Sequence, residues 1–103
     1  MIYKIENTIP AEHDLDGIVN YILFKLSNRK AAADLLAQYE EKLKELCKNP
    51  RIYPLSRIQK LADMGYRRFI FGNCIAFFKI NEERHIVYII RIFHKRKDYE
   101  NII

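Results

Sequence analysis

The residues best suited to chemistry gather near the end of the chain, and they are basic. Arg91, His94, Lys95 and Arg96 fall within six positions, with Lys97 and Tyr99 just beyond; Arg67, Arg57 and Lys60 lie further upstream. A guanidinium can hold a phosphate through two parallel hydrogen bonds. An imidazole titrates near neutrality and can serve as base or acid. A tyrosine can stack on a nucleobase or join a proton transfer. Each also has a plainer reading: His94 as a residue that only finishes a strand, the arginines as partners of an acidic segment or solvated charges, and Tyr99 as a packing residue. His13 and His85 carry no assigned chemistry, and Phe69, Phe71, Phe77 and Phe78 are core before they are a nucleotide platform. Taken together, the cluster is suited to a polyanion.

Such side chains need a rigid carrier. Ile86 to His94 is almost wholly β-branched or aromatic, which predicts a strand with protein on both faces, central in a sheet, delivering charge to one rim. Met1 to Asn7 alternates and predicts a short first strand at or near a sheet edge. Thr8 and Pro10 suit a helix start. From Ala11 the apolar Leu15, Ile18, Val19, Ile22 and Leu26 recur at helical spacing, with Glu12, Asp14 and Asp16 in the first turns, where the macrodipole favours negative charge. After Ser27 and Asn28, a second helix runs from Arg29 to about Lys48. Its expected buried stripe is Ala32, Leu35, Leu36, Tyr39, Leu43 and Leu46, and Asn49-Pro50 ends it. So short a connection predicts an antiparallel helical hairpin.

Arg51 to Met64 reads as a long connection with few apolar anchors, whose exposed parts should move more than either helix. A strand after Gly65, a tight turn at Gly72-Asn73, a strand from Cys74 to Ile80 and a turn at 81–84 lead into the strand from Ile86. The expected class is therefore α+β: one domain, residues 1–103, with an N-terminal strand, a two-helix hairpin and a three-strand antiparallel meander. Two helices cover one face of a four-strand sheet, so the other face should be partly open, a shallow concavity rimmed by basic residues.

Half of the residues are apolar, enough for a folded core without disulfides or metal. Cys47 and Cys74 stand far apart and read as small buried hydrophobes of a reducing compartment. No signal peptide and no membrane span is expected, which predicts a soluble cytoplasmic protein. The net charge of +5 is uneven: residues 1–50 hold seven Lys and Arg against eight Asp and Glu, residues 51–103 eleven against five. A basic excess confined to one half suggests an anionic partner, nucleic acid or an acidic protein segment.

The order of a helical hairpin, Asn49-Pro50, Gly65-Tyr66-Arg67, the pair Phe77-Phe78 and the run Arg91 to Tyr99 (RIFHKRKDY) resembles the RelE/ParE superfamily of toxins from bacterial type II toxin-antitoxin modules. The resemblance covers nearly the whole chain. It implies two activities on one fold: RelE-like members cut mRNA in the ribosomal A site, and ParE-like members inhibit DNA gyrase and cut nothing. Cleavage without a metal needs a base for the ribose 2′-hydroxyl, cations for the phosphorane and an acid for the leaving oxygen. On that reading Arg91, His94, Arg96 and Tyr99 are catalytic, while Arg57, Lys60, Arg67 and Lys95 hold nucleic acid. His94 among its cations makes metal-independent, ribosome-dependent mRNA cleavage the expected activity, that of an endoribonuclease, with ParE-like inhibition of gyrase as the alternative. Ile75 stands where RelE has an arginine and Phe69 where it has a lysine, and these departures favour the gyrase alternative. Implied partners are a cognate antitoxin, in a hetero-oligomer, and either ribosome with mRNA or gyrase; no metal, cofactor or membrane is implied.

Overall fold

The computed structural model describes residues 2–96. Strands β1 (Lys4–Asn7), β2 (Arg67–Phe71), β3 (Cys74–Asn81) and β4 (Ile86–His94) form one sheet in the order β1-β4-β3-β2. β4 is central, as its unbroken apolar run predicts, antiparallel to β3 and parallel to the edge strand β1. Helices α1 (Ile9–Asn20) and α2 (Arg29–Lys48) cover one face. There Leu35, Tyr39 and Leu46 meet Phe69, Phe71, Phe78, Ile89 and Ile92 in the main core. The Tyr39 hydroxyl donates to Asn7, tying α2 to β1, and burial pushes its pKa well above the usual phenol value. At the far end of the sheet, Tyr3 and Arg51 both donate to Glu82; the Tyr3 bond, then that of Arg51, hold this carboxyl below its ordinary value.

Local signals account for the joints. The Thr8 hydroxyl caps α1 by accepting from the Ala11 N–H at 3.3 Å, and Pro10 sits in the first turn. At the β2–β3 turn, Gly72 has φ +56°, and a Cβ there would lie 2.8 Å from Leu35 Cδ1. Gly72→Ala is therefore expected to cost about 1–2 kcal/mol for the left-handed backbone alone, before Leu35 shifts. In a domain of this size that is a fall of roughly 5–10 °C in melting temperature. An unchanged melting curve would refute this account of the turn.

Three expectations need correction. Leu26 does not continue the buried stripe of the first helix. A π-helical turn, Tyr21–Lys25, follows Asn20, and the Leu26 N–H reaches back five residues to the Tyr21 carbonyl, so Leu26 is 57 % exposed. Leu36 lies at the margin of the α2 stripe and is also exposed, whereas Leu35 and Tyr39 are buried. The connection from Arg51 to Met64 is not structureless: it holds a 3₁₀ turn (Pro50–Ile52), a bridge between Leu55 and Arg67, and the short helix α3 (Gln59–Asp63). Leu61 of α3 is fully buried with Tyr66, Ile75, Phe77 and Phe93. This second core fills part of the face that was expected to be open.

Candidate functional site

The site begins with an irregularity in β4. Nine residues of β4 oppose eight of β3: Ile89 faces Phe78 and Arg91 faces Phe77, which leaves Ile90 as a bulge. The Thr8 hydroxyl lies 2.8 and 3.0 Å from the Ile89 and Ile90 carbonyls, so the residue that starts α1 also holds the bulge. β1 pairs with β4 only as far as Ile89. Beyond it, a side chain takes the place of a neighbouring strand.

That side chain is Asp14 of α1. Its Oδ2 accepts from Arg91 Nε at 2.7 Å and from the Ile92 N–H at 3.0 Å, and its Oδ1 accepts from Arg91 Nη2 at 3.0 Å. The Arg91 and Asp14 side chains are 26 % and 16 % exposed. The guanidinium carbon sits 4.7 Å from the centre of the Phe93 ring. The hydrogen bonds to Asp14 raise the Arg91 pKa further, against a smaller opposing effect of desolvation. Arg91 is thus held along the Nε–Nη2 edge of its fork by a carboxylate that would repel a phosphate.

The other expected residues are distributed unevenly. His94, Lys95 and Arg96 share one exposed turn, in which His94 Nδ1 accepts from the Arg96 N–H at 3.2 Å. The neutral ring there carries its proton on Nε2. The Lys95 N–H donates to the Asn73 carbonyl at 2.8 Å, fastening this turn to the β2–β3 turn. Arg67 is elsewhere. Its Nη1 donates to the Tyr53 carbonyl at 2.7 Å, and it pairs with Phe78 at the far end of β2, whereas His94 pairs with Cys74. At about 3.3 Å per residue, four residue steps separate those levels by roughly 13 Å along the strands, before the spacing across them. Arg57 and Lys60 are exposed on the segment that includes α3. Tyr99 lies outside the described residues.

Sequence reasoning missed Asp14, which it placed in the first turns of a helix as a complement to the macrodipole. The signal was available: Asp14 stands three residues after the buried Ala11 and four before Ile18, on the side of α1 that faces the sheet. Sequence reasoning also missed a groove of about 790 Å³ beside the end of β4, lined by Ile18, Tyr21, Ile22, Leu35, Asn73 and His94 among others. Among the described residues no cluster of His, Cys, Asp and Glu could hold a metal ion, and no helix is long and apolar enough to cross a membrane.

A two-helix hairpin over a sheet of order β1-β4-β3-β2, with a basic turn ending the central strand, defines the RelE/ParE class of toxin folds. Residues 5–99 match the family described as "ParE toxin of type II toxin-antitoxin system, parDE". The chain belongs to that family and is a toxin of a type II toxin-antitoxin system. Two solved structures share its fold. The chromosomal ParDE system from P. aeruginosa matches at a TM-score of 0.69 and 20 % identity, over 90 % of this chain and 96 % of that one. The RelBE2 toxin-antitoxin complex from Mycobacterium tuberculosis matches at 0.63 and 21 %, over 91 % and 99 %. No curated protein sequence matches the chain.

Proposed function

We propose that this toxin disables a protein target by binding it, as ParE-like members of the superfamily do with DNA gyrase, and does not cut RNA. The observation that carries the reading is the commitment of Arg91 to Asp14 and the Ile92 backbone. Cleavage needs a base, an acid and cations converging on one phosphate. Here Arg91, on the central strand, is paired with Asp14, and Arg67 is bonded to Tyr53 at the other end of its strand. What stays available is an exposed basic turn beside an apolar groove, which suits protein recognition.

A cognate antitoxin is the second partner, as in the RelBE2 complex. Among the described residues no strand pairs with β4 on the β1 side beyond Ile89, and the groove runs alongside. An antitoxin segment laid there would meet Lys95 and Arg96, so it should carry acidic residues.

A second reading, ribosome-dependent mRNA cleavage, rests on His94 and Arg96 sharing one exposed turn. In it Arg91, His94, Arg96 and Tyr99 act on the phosphate, and Arg57, Lys60, Arg67 and Lys95 hold the RNA. Supercoiling of relaxed plasmid by purified gyrase, titrated with the toxin, tests the favoured reading. Inhibition that added antitoxin reverses is expected; full supercoiling at saturating toxin would end the gyrase assignment.

A further inference from the structure

The turn between α1 and α2 is built to expose what a soluble domain normally hides. A π-helical turn is rare and tends to mark function. Here it resets the helical phase after Asn20, and no residue from Tyr21 to Lys25 is buried. Phe24 is 77 % exposed, the most exposed large apolar side chain among the described residues. It does not line the groove beside β4, which takes Tyr21, Ile22 and Leu26 from the same turn.

The charges around Phe24 indicate what it would meet. Lys25 follows it directly and Arg29 opens α2. Lys30 is paired with Asp34 at 2.9 Å, whereas neither Lys25 nor Arg29 has an acidic partner among the described residues. An exposed aromatic side chain with two uncompensated cations close behind it in the chain is complementary to an apolar pocket in an acidic surface, the arrangement in which aromatic anchors carry much of a binding energy.

We infer that the outer face of the hairpin tip, Phe24 with Lys25 and Arg29, is a contact by which the toxin engages an apolar pocket within an acidic surface of its target protein. This rests on the reading that the toxin acts by binding a protein. It adds a contact separate from the groove and from the basic turn at His94–Arg96.

Two full-length variants test it: Phe24→Ser, and the pair Lys25→Glu with Arg29→Glu. Each is expected to raise the toxin concentration for half-inhibition of supercoiling by roughly tenfold or more, the loss typical of a removed anchor. Melting temperature should stay within about 3 °C of wild type and antitoxin affinity within about twofold, because these side chains are exposed and lie outside the groove. Unchanged inhibition by both variants overturns the inference. So does a loss of antitoxin affinity with inhibition intact, which would give the tip to the antitoxin. Binding of wild-type protein to phosphatidylglycerol vesicles, lost in both variants while inhibition persists, overturns it in favour of a lipid surface. Should wild-type toxin arrest growth without touching gyrase, the gyrase reading fails alone. Growth arrest by the tip variants then decides: relief supports the contact, and persistent arrest overturns it.

Discussion

Asp14→Ala is expected to lower stability by about 2–4 kcal/mol, because it strips a partly buried guanidinium of its counter-ion and leaves the Ile92 N–H without its acceptor in one step. The melting temperature should fall by more than roughly 10 °C. Asp14→Asn keeps a carbonyl oxygen for one of the three bonds and should lose distinctly less. Arg91→Ala leaves a carboxylate that retains only the backbone donor. The double Asp14→Ala, Arg91→Ala variant should therefore be more stable than the sum of the singles predicts, by about 1–3 kcal/mol of coupling. Chemical denaturation of the four proteins measures this; additive losses would show that the two residues do not act as a pair.

The second large effect lies at the basic turn. Lys95 and Arg96 are exposed, and reversing both to glutamate is expected to raise the toxin concentration for half-inhibition of gyrase by about tenfold or more, through slower association and like-charge repulsion. The dependence of inhibition on salt should flatten in the same variant. The fold should be untouched, since neither side chain enters the core. Inhibition that survives the reversal, with its salt dependence intact, would place the target contact away from this turn.

Much of this architecture could be read from residue patterns because the signals were local and redundant. The apolar run of β4, the capping Thr8 and the Gly72-Asn73 turn each fix an element without help from elsewhere in the chain. Other features depend on phase or on distant contacts. Leu26 continues a perfect helical spacing, yet a π-helical turn adds a residue to the cycle and turns that side chain outward. α3 has only five residues, too few for a periodic pattern, and it forms because Leu61 finds Phe77 and Phe93 across the sheet. The bulge at Ile90 depends on pairing that only the assembled sheet provides.

The candidate site follows the same division. That His94, Lys95 and Arg96 end a rigid strand was legible, because position along one strand is local information. That Arg91 is committed to Asp14, 77 positions away, was not. A basic residue in a cluster looks the same in sequence whether it is free or paired. Only the packing of α1 against β4 shows that this arginine anchors a helix to a strand end.

The central claim is that the basic cluster is a binding surface and not a catalytic centre. It is tested most directly with mRNA positioned in the A site of purified ribosomes, mixed with stoichiometric toxin and sampled over minutes, beside the His94→Ala variant. The message is expected to stay intact with either protein, and His94→Ala to inhibit gyrase within about threefold of wild type, as an exposed residue outside any energetic hot spot should. Cleavage of the message by wild-type toxin, reduced on the order of 10²-fold by His94→Ala, would contradict it, because a loss of that size is the mark of a residue acting in the transition state.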